Sequence, residues 1–161
     1  MPDYRTETRL ERQYLLRDIF TRIAAYLNTH GSEPCHIIVG TDSQVHAQTT
    51  RFVIGVVILS STKQMWTGTH RLTKPYKIHS IYERLLYETL LTEDVLTALR
   101  VNVGKKPNIT FEAHLDISGE NQFYSARYAK ELSERLLRIG FSARLKPYAY
   151  VASHYANRYT K

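Results

Sequence analysis

The chain has 161 residues, 43% hydrophobic and 23% charged, a balance that suits one globular domain with a real core and excludes a disordered chain. Its one cysteine, Cys35, excludes an intrachain disulfide and a thiolate-rich zinc cage, and no apolar run approaches the roughly 18 residues of a membrane span. Lys and Arg number 22 against 15 Asp and Glu, and the resulting formal charge of +7 attracts polyanions such as nucleic acid, although it also serves plain solubility.

No repeat, low-complexity tract or Pro-, Gly- or Ser-rich linker interrupts the sequence, so residues 1–161 read as a single domain. The opening MPDYRTETRLERQ lacks the apolar core of a secretory signal, and a cytoplasmic location is the expectation. From about Glu7 to Leu27 the residues Leu10, Leu15, Ile19, Ile23 and Tyr26 fall near one stripe, with Arg and Glu opposite. That pattern predicts an amphipathic helix, so that residues 1–30 form an N-terminal extension. Gly31 and Pro34 break it.

Strand-like runs follow at Cys35–Asp42, Arg51–Leu59 and about Gln64–Leu72, the first two rich in β-branched residues. The short polar link Ser60–Lys63 predicts an antiparallel hairpin between the second and third. A helical stretch from about His79 to Arg100 carries Thr92, a residue able to cap a second segment there. After a basic loop at Asn102–Pro107, Ile109, Phe111, Ala113, Leu115 and Ile117 alternate with polar residues, the period of a strand. A helix over about Asn121–Ile139 ends at Gly140, a C-cap residue. Phe141–Lys146 reads as a short strand and Tyr148–Tyr159 as a last helix. Behind the N-terminal helix the order is βββαβαβα, which predicts an α/β mixed sheet with flanking helices of the ribonuclease H kind.

Two carboxylates close strands in this scheme. Asp42 ends HIIVGTD, after a glycine that permits close backbone approach, and Asp116 ends FEAHLD on the face opposite Phe111 and Leu115. Strand ends of open α/β sheets are where ligands bind. Two ionised carboxylates about 4 Å apart repel by roughly 4 kcal/mol at an effective dielectric of 20, so such a pair shares a proton, meets Arg or Lys, or holds a metal ion. Either Asp alone is as well explained as a turn or helix cap. Together, on this topology, they point to magnesium or manganese (Mg2+ or Mn2+).

A third acid is expected from YERLLYETLL, which offers Glu83 and Glu88 on different helix faces. Glu88 shares a stripe with Ile81 and Leu85 and is the better choice, because an inward acid needs a partner or a metal. An i−4 salt bridge to Arg84 is the competing explanation. Glu83 groups with Tyr87 and Asp94 on the wetter side. In the terminal SHYANRYTK, His154 can complete the ligand set through a neutral imidazole, although a lone helical histidine also serves structure alone. His114, on the Asp116 face, is placed to support the site from behind.

GTDSQ at 40–44, RLLYET at 84–89, HLDIS at 114–118 and KPYAYVASHYANRYTK at 146–161 together resemble the YkuK-type family of ribonuclease-H-like proteins, in order and spacing, over most of the chain after the first helix. The resemblance implies a mixed sheet, metal-holding acids at Asp42, Glu88 and Asp116, and a nuclease activity. The family's pattern has Asp where this chain has Asn157, so a fourth ligand has to come from elsewhere, with His154 at hand. The function expected is hydrolysis of phosphodiester bonds in RNA or DNA, with Lys146, Arg158 and the Lys105–Lys106 loop available to phosphates. The rival is a catalytically inactive module of the same fold that binds nucleic acid through its charge and some of its 12 tyrosines. A scaffold that kept only the fold is a third possibility. No GxSxG or phosphate-loop motif occurs.

Overall fold

A computed structural model describes residues 9–30, 33–60, 65–103, 108–119 and 124–151, and of the first helix the side chains from Arg17 to Thr29. The elements are α1 (Arg9–His30), β1 (Cys35–Val45), β2 (Thr50–Ser60), β3 (Met65–Lys74), α2 (Ile81–Val103), β4 (Ile109–Ser118), α3 (Ala126–Arg138) and β5 (Ser142–Lys146). Five strands form one mixed sheet in the order β3-β2-β1-β4-β5. β1–β2 and β2–β3 are antiparallel, whereas β1–β4 and β4–β5 are parallel. Among the described residues no helix is long and apolar enough to cross a membrane.

The sheet order follows from which strands can be buried twice. β1 and β2 are the most apolar runs, and both lie inside the sheet with cover on each face. β5, with alternating exposed and half-buried positions, takes an edge. Cys35, Ile37 and Val39 face the same way as Phe52, Ile54, Val56 and Ile58, and α1, α2 and α3 all pack on that side in one core. Ile19, Ile23 and Leu27 of α1 are buried in that core, so the N-terminal helix is part of it. On the opposite face Ile38, Val57 and Val151 make a smaller cluster beneath the chain leaving β5.

The expected helix break at Thr92 does not occur, and α2 is continuous. Thr92 points inward, and its hydroxyl meets the Thr41 hydroxyl at 2.9 Å in the core, so it ties helix to strand. α3 starts at Ala126, later than Asn121, with Tyr124 and Ser125 in a turn. Gly140, at φ 92°, ends it in the left-handed conformation that favours glycine. Tyr148 and Ala149 both donate their N–H to the Leu145 carbonyl in a turn, and the remainder of the expected last helix lies outside the described residues.

The Thr41–Thr92 contact makes a checkable claim. Thr92→Val strands a buried hydroxyl on Thr41 and is expected to destabilise the protein by about 1–3 kcal/mol, whereas the double change Thr41→Val with Thr92→Val recovers most of that loss. Denaturant midpoints of the two variants against wild type measure it.

Candidate functional site

The parallel ladder between β1 and β4 runs from Cys35↔Ile109 to Thr41↔Leu115. The ladder ends there, and the next residues, Asp42 and Asp116, follow its last rung on the two adjacent strands. Thr41 and Leu115 face the helices, so strand alternation turns both carboxylates to the other face. Asp42 is within β1 rather than at its tip, paired with Val53 of β2, and only 9% of it is exposed. Val53 in turn pairs with Arg71 of β3, an exposed residue on the same face. Sequence reading passed over Arg71, because only the register places it in a row with the two acids.

Lys146 closes that row from β5. Its Nζ lies 2.6 Å from Asp116 Oδ1, with the lysine half exposed and the carboxylate mostly covered. The contact is a charge pair without hydrogen-bond alignment: among the described residues no aligned donor meets the buried Asp116 Oδ1. Expected to contact phosphate, Lys146 is here the counter-charge of an acid.

Glu88 comes to the same place from the helix side. It is 6% exposed, and the Ser43 hydroxyl donates to its Oε1. Ser43 shares the helix-facing side of β1 with Thr41, so Glu88 and Thr92, one turn apart on α2, are pinned by alternate residues of one strand. Burial pushes the Glu88 carboxyl well above the usual range. The Asp42 charge raises it further, and Asp116 adds to this, against the opposing Ser43 hydrogen bond. Arg84, the expected i−4 partner, contributes the smallest of these effects. Three acids from β1, α2 and β4 therefore feel one another.

The neighbours of Glu88 on α2 differ from expectation. Ile81 is 37% exposed, whereas Tyr87 is buried against Phe52, with ring centroids 4.6 Å apart. Helix α2 lies between α1 and α3 over the sheet, so its buried arc is wider than the single stripe assumed. Glu83 is half buried in the first turn and donates its backbone N–H to Ser80 Oγ.

Four residues back from Asp116 on the same face, Glu112 gathers three cations or donors: His114 Nε2 at 2.7 Å, Arg144 Nε at 2.9 Å and His36 Nε2 at 3.5 Å. Sequence reading missed Glu112, whose only signal was its alternation with His114 and Asp116. Burial raises its pKa, but the His114 hydrogen bond, Arg144 and His36 outweigh this and hold it below the usual carboxylate range. The other nitrogen of His114 accepts the backbone N–H groups of Tyr150 at 3.1 Å and Val151 at 3.3 Å, which assigns the proton to Nε2. Burial lowers the His114 pKa and keeps the ring neutral, as an acceptor at Nδ1 has to be. The ring thus brackets the start of the segment bearing His154 and Arg158, which lie outside the described residues along with Lys105 and Lys106. Among the described residues no three His, Cys, Asp or Glu side chains form a metal-holding group by themselves.

The raised Glu88 carboxyl has a consequence for stability. A group with a folded pKa above its unfolded one binds more protons when folded, so stability falls as pH climbs from the ordinary glutamate range through the raised folded value. Glu88→Gln is expected to flatten that slope and raise the melting temperature at neutral pH, by about 2–4 °C for each kcal/mol relieved. Melts of the metal-free proteins across acid and neutral pH test this; a lower neutral-pH melting temperature in the variant counters it.

Residues 18–161 match the family described as Ribonuclease H-like. The Bacillus subtilis (strain 168) protein called "Uncharacterized protein YkuK" is 28% identical over 163 aligned residues, 94% of each chain. A crystal structure of Ciona intestinalis endonuclease V, in complex with a 24mer DNA containing an inosine followed by a ribo-adenosine, covers 65% of this chain with 44% of its own at 9% identity. Its TM-score of 0.36 is too loose a likeness to carry an argument. On the family match across most of the sequence, and on a five-stranded mixed sheet flanked by helices, the chain belongs to the ribonuclease H-like family.

Proposed function

We propose that this protein is a cytoplasmic, divalent-metal-dependent nuclease that hydrolyses phosphodiester bonds of RNA or DNA. The observation that carries the reading is that buried Glu88 feels the charges of both Asp42 and Asp116, which follow the last rung of the β1–β4 ladder on adjacent strands. The residues suit magnesium or manganese in donor type: all three offer oxygen, and Asp116 Oδ1 is a buried acceptor to which only a cation has been brought. Asp42 and Asp116 would hold the ion, Glu88 would complete its surroundings, and His154 is the remaining ligand to test. When bound, the ion supplies charge stabilisation at the phosphate oxygens and a more acidic water.

The side chains have separable jobs. Asp42 and Asp116, just past the end of the β1–β4 ladder, would attract the cation. Glu88, kept from water and bonded by Ser43, resists reorientation. Lys146 neutralises Asp116, and with a bound ion in that role its flexible ammonium would serve as a phosphate contact. Arg71, and Arg158 outside the described residues, are further phosphate contacts in this reading.

The same Lys146–Asp116 pair favours a second reading, a module of this family that binds nucleic acid without cutting it, because an internal cation already satisfies the acid. Asp42→Asn decides between them. If the enzyme reading holds, the variant loses cleavage of mixed RNA and DNA oligonucleotides in magnesium or manganese by on the order of a hundred-fold or more, with its melting curve retained. Wild-type turnover by purified Asp42→Asn overturns it; wild-type binding in EDTA with no cleavage in manganese supports the second reading.

A further inference from the structure

β1, β3 and β4 run in the same direction, so α2 and α3, which follow β3 and β4, both begin at the sheet end that holds Asp42 and Asp116. At those beginnings stands a group of side chains that the proposed catalysis does not use. Tyr82 of α2 packs on Tyr128 of α3 with ring centroids 4.9 Å apart, and Tyr128 meets Tyr124 edge-on at 6.4 Å. The Arg127 guanidinium lies over both Tyr124, at 3.9 Å, and Tyr128, at 5.1 Å. Tyr82 donates its hydroxyl to Glu131 at 2.5 Å, which fixes the inner ring, whereas Tyr124 is 60% exposed.

Two features mark this group as a binding surface rather than packing. The inward stripe of α3 is Ala129, Leu132 and Leu136, so Tyr124 and Arg127 contribute little to the core. Arg127 also has no ion-pair partner among the described residues, whereas Arg135 is held by Glu93 at 2.7 Å. A groove of about 480 Å³ runs on from Tyr82 and Arg127 between α2 and α3, lined by Lys130, Arg135 and Arg138 and by Glu131 and Glu134, with Glu134 at 4.0 Å from Lys130 and 3.9 Å from Arg138. An exposed tyrosine, an arginine already placed over aromatic rings and a groove with four basic against two acidic residues together match unpaired bases with their phosphates. In a duplex the base faces are covered by their neighbours, so the chemistry selects single strands.

We propose that Tyr124, Arg127 and Tyr128 form a stacking platform for single-stranded nucleic acid, which feeds a strand along the α2–α3 groove to the carboxylate end of the sheet. The proposal rests on the nucleic-acid reading above and names its substrate class. Fluorescence anisotropy of the full chain in EDTA, with a labelled oligo-dT or oligo-U and a labelled duplex, tests it apart from catalysis. Tyr124→Ala is expected to weaken single-strand binding about 5- to 150-fold, the range for loss of one stacked base, and to change duplex binding little. Tyr124→Phe keeps the wild-type affinity. Arg127→Ala weakens single-strand binding and lowers its salt dependence by about one phosphate contact, whereas Arg17→Ala, an equal charge loss on exposed α1, does not. Wild-type single-strand affinity in both Tyr124→Ala and Arg127→Ala overturns the platform, as does an equal loss for duplex and single strand. Retained metal-dependent cleavage in those variants shows that the nuclease reading survives its failure, whereas a wild-type protein that neither binds nor cleaves any oligonucleotide ends both.

Discussion

The parallel pairing of β1 with β4 is the constraint on which the rest of the site depends. It brings Asp42 and Asp116, far apart in sequence, to adjacent strands just past the last rung of the ladder, in mostly covered positions. Like charges so placed are unfavourable without a compensating cation, and the protein supplies one in Lys146 at the end of the next strand. Glu88 meets the same difficulty differently. Lacking a close cation, it is pushed towards its neutral form by burial and by the two aspartates. A fold that stored so much negative potential for structure alone would be stabilised by losing it, which is why the arrangement reads as functional.

Helix α2 keeps that potential in place. The paired hydroxyls of Thr41 and Thr92 and the Ser43–Glu88 bond join consecutive helical turns to alternate residues of β1. Glu88 is thereby fixed relative to Asp42 by the strand that carries Asp42. The wide buried arc of α2, held between α1 and α3, gives this attachment its rigidity. On the other face the Glu112–His114 pair, with His36 and Arg144 around it, fixes the backbone at Tyr150 and Val151 and so sets where the following segment departs. The two networks act on opposite faces of the sheet, and strand alternation puts Asp42 and Asp116 on the face of the second.

Much of the fold was legible because its signals are local. The β-branched runs of β1 and β2, the strict alternation from Ile109 to Ile117 and Gly140 after α3 each reflect a period or a backbone preference that neighbouring residues establish unaided. The errors were equally local in origin. Thr92 has the chemistry of a cap, but nothing in its neighbourhood announces that Thr41 waits across the core. Ile81 and Tyr87 were sorted by a single stripe, and the burial of α2 on several sides replaced that rule. Asp42, Asp116 and Glu88 could be selected from strand position and helix face, whereas Glu112 and Arg71 gain their meaning from strand register alone.

By itself, then, the amino-acid order determined which segments form strands and helices, which faces are apolar, and that several acids and an excess of positive charge have to be accommodated. The tertiary structure alone decided that Asp42 and Asp116 come to adjacent strands, that Lys146 answers one of them, and that three tyrosines and Arg127 from separate helices meet at the same sheet end. The physical reason is range. Backbone propensity and hydrophobic periodicity act over a few neighbouring residues, but charge pairing and ring stacking depend on distances that only strand register and helix docking establish.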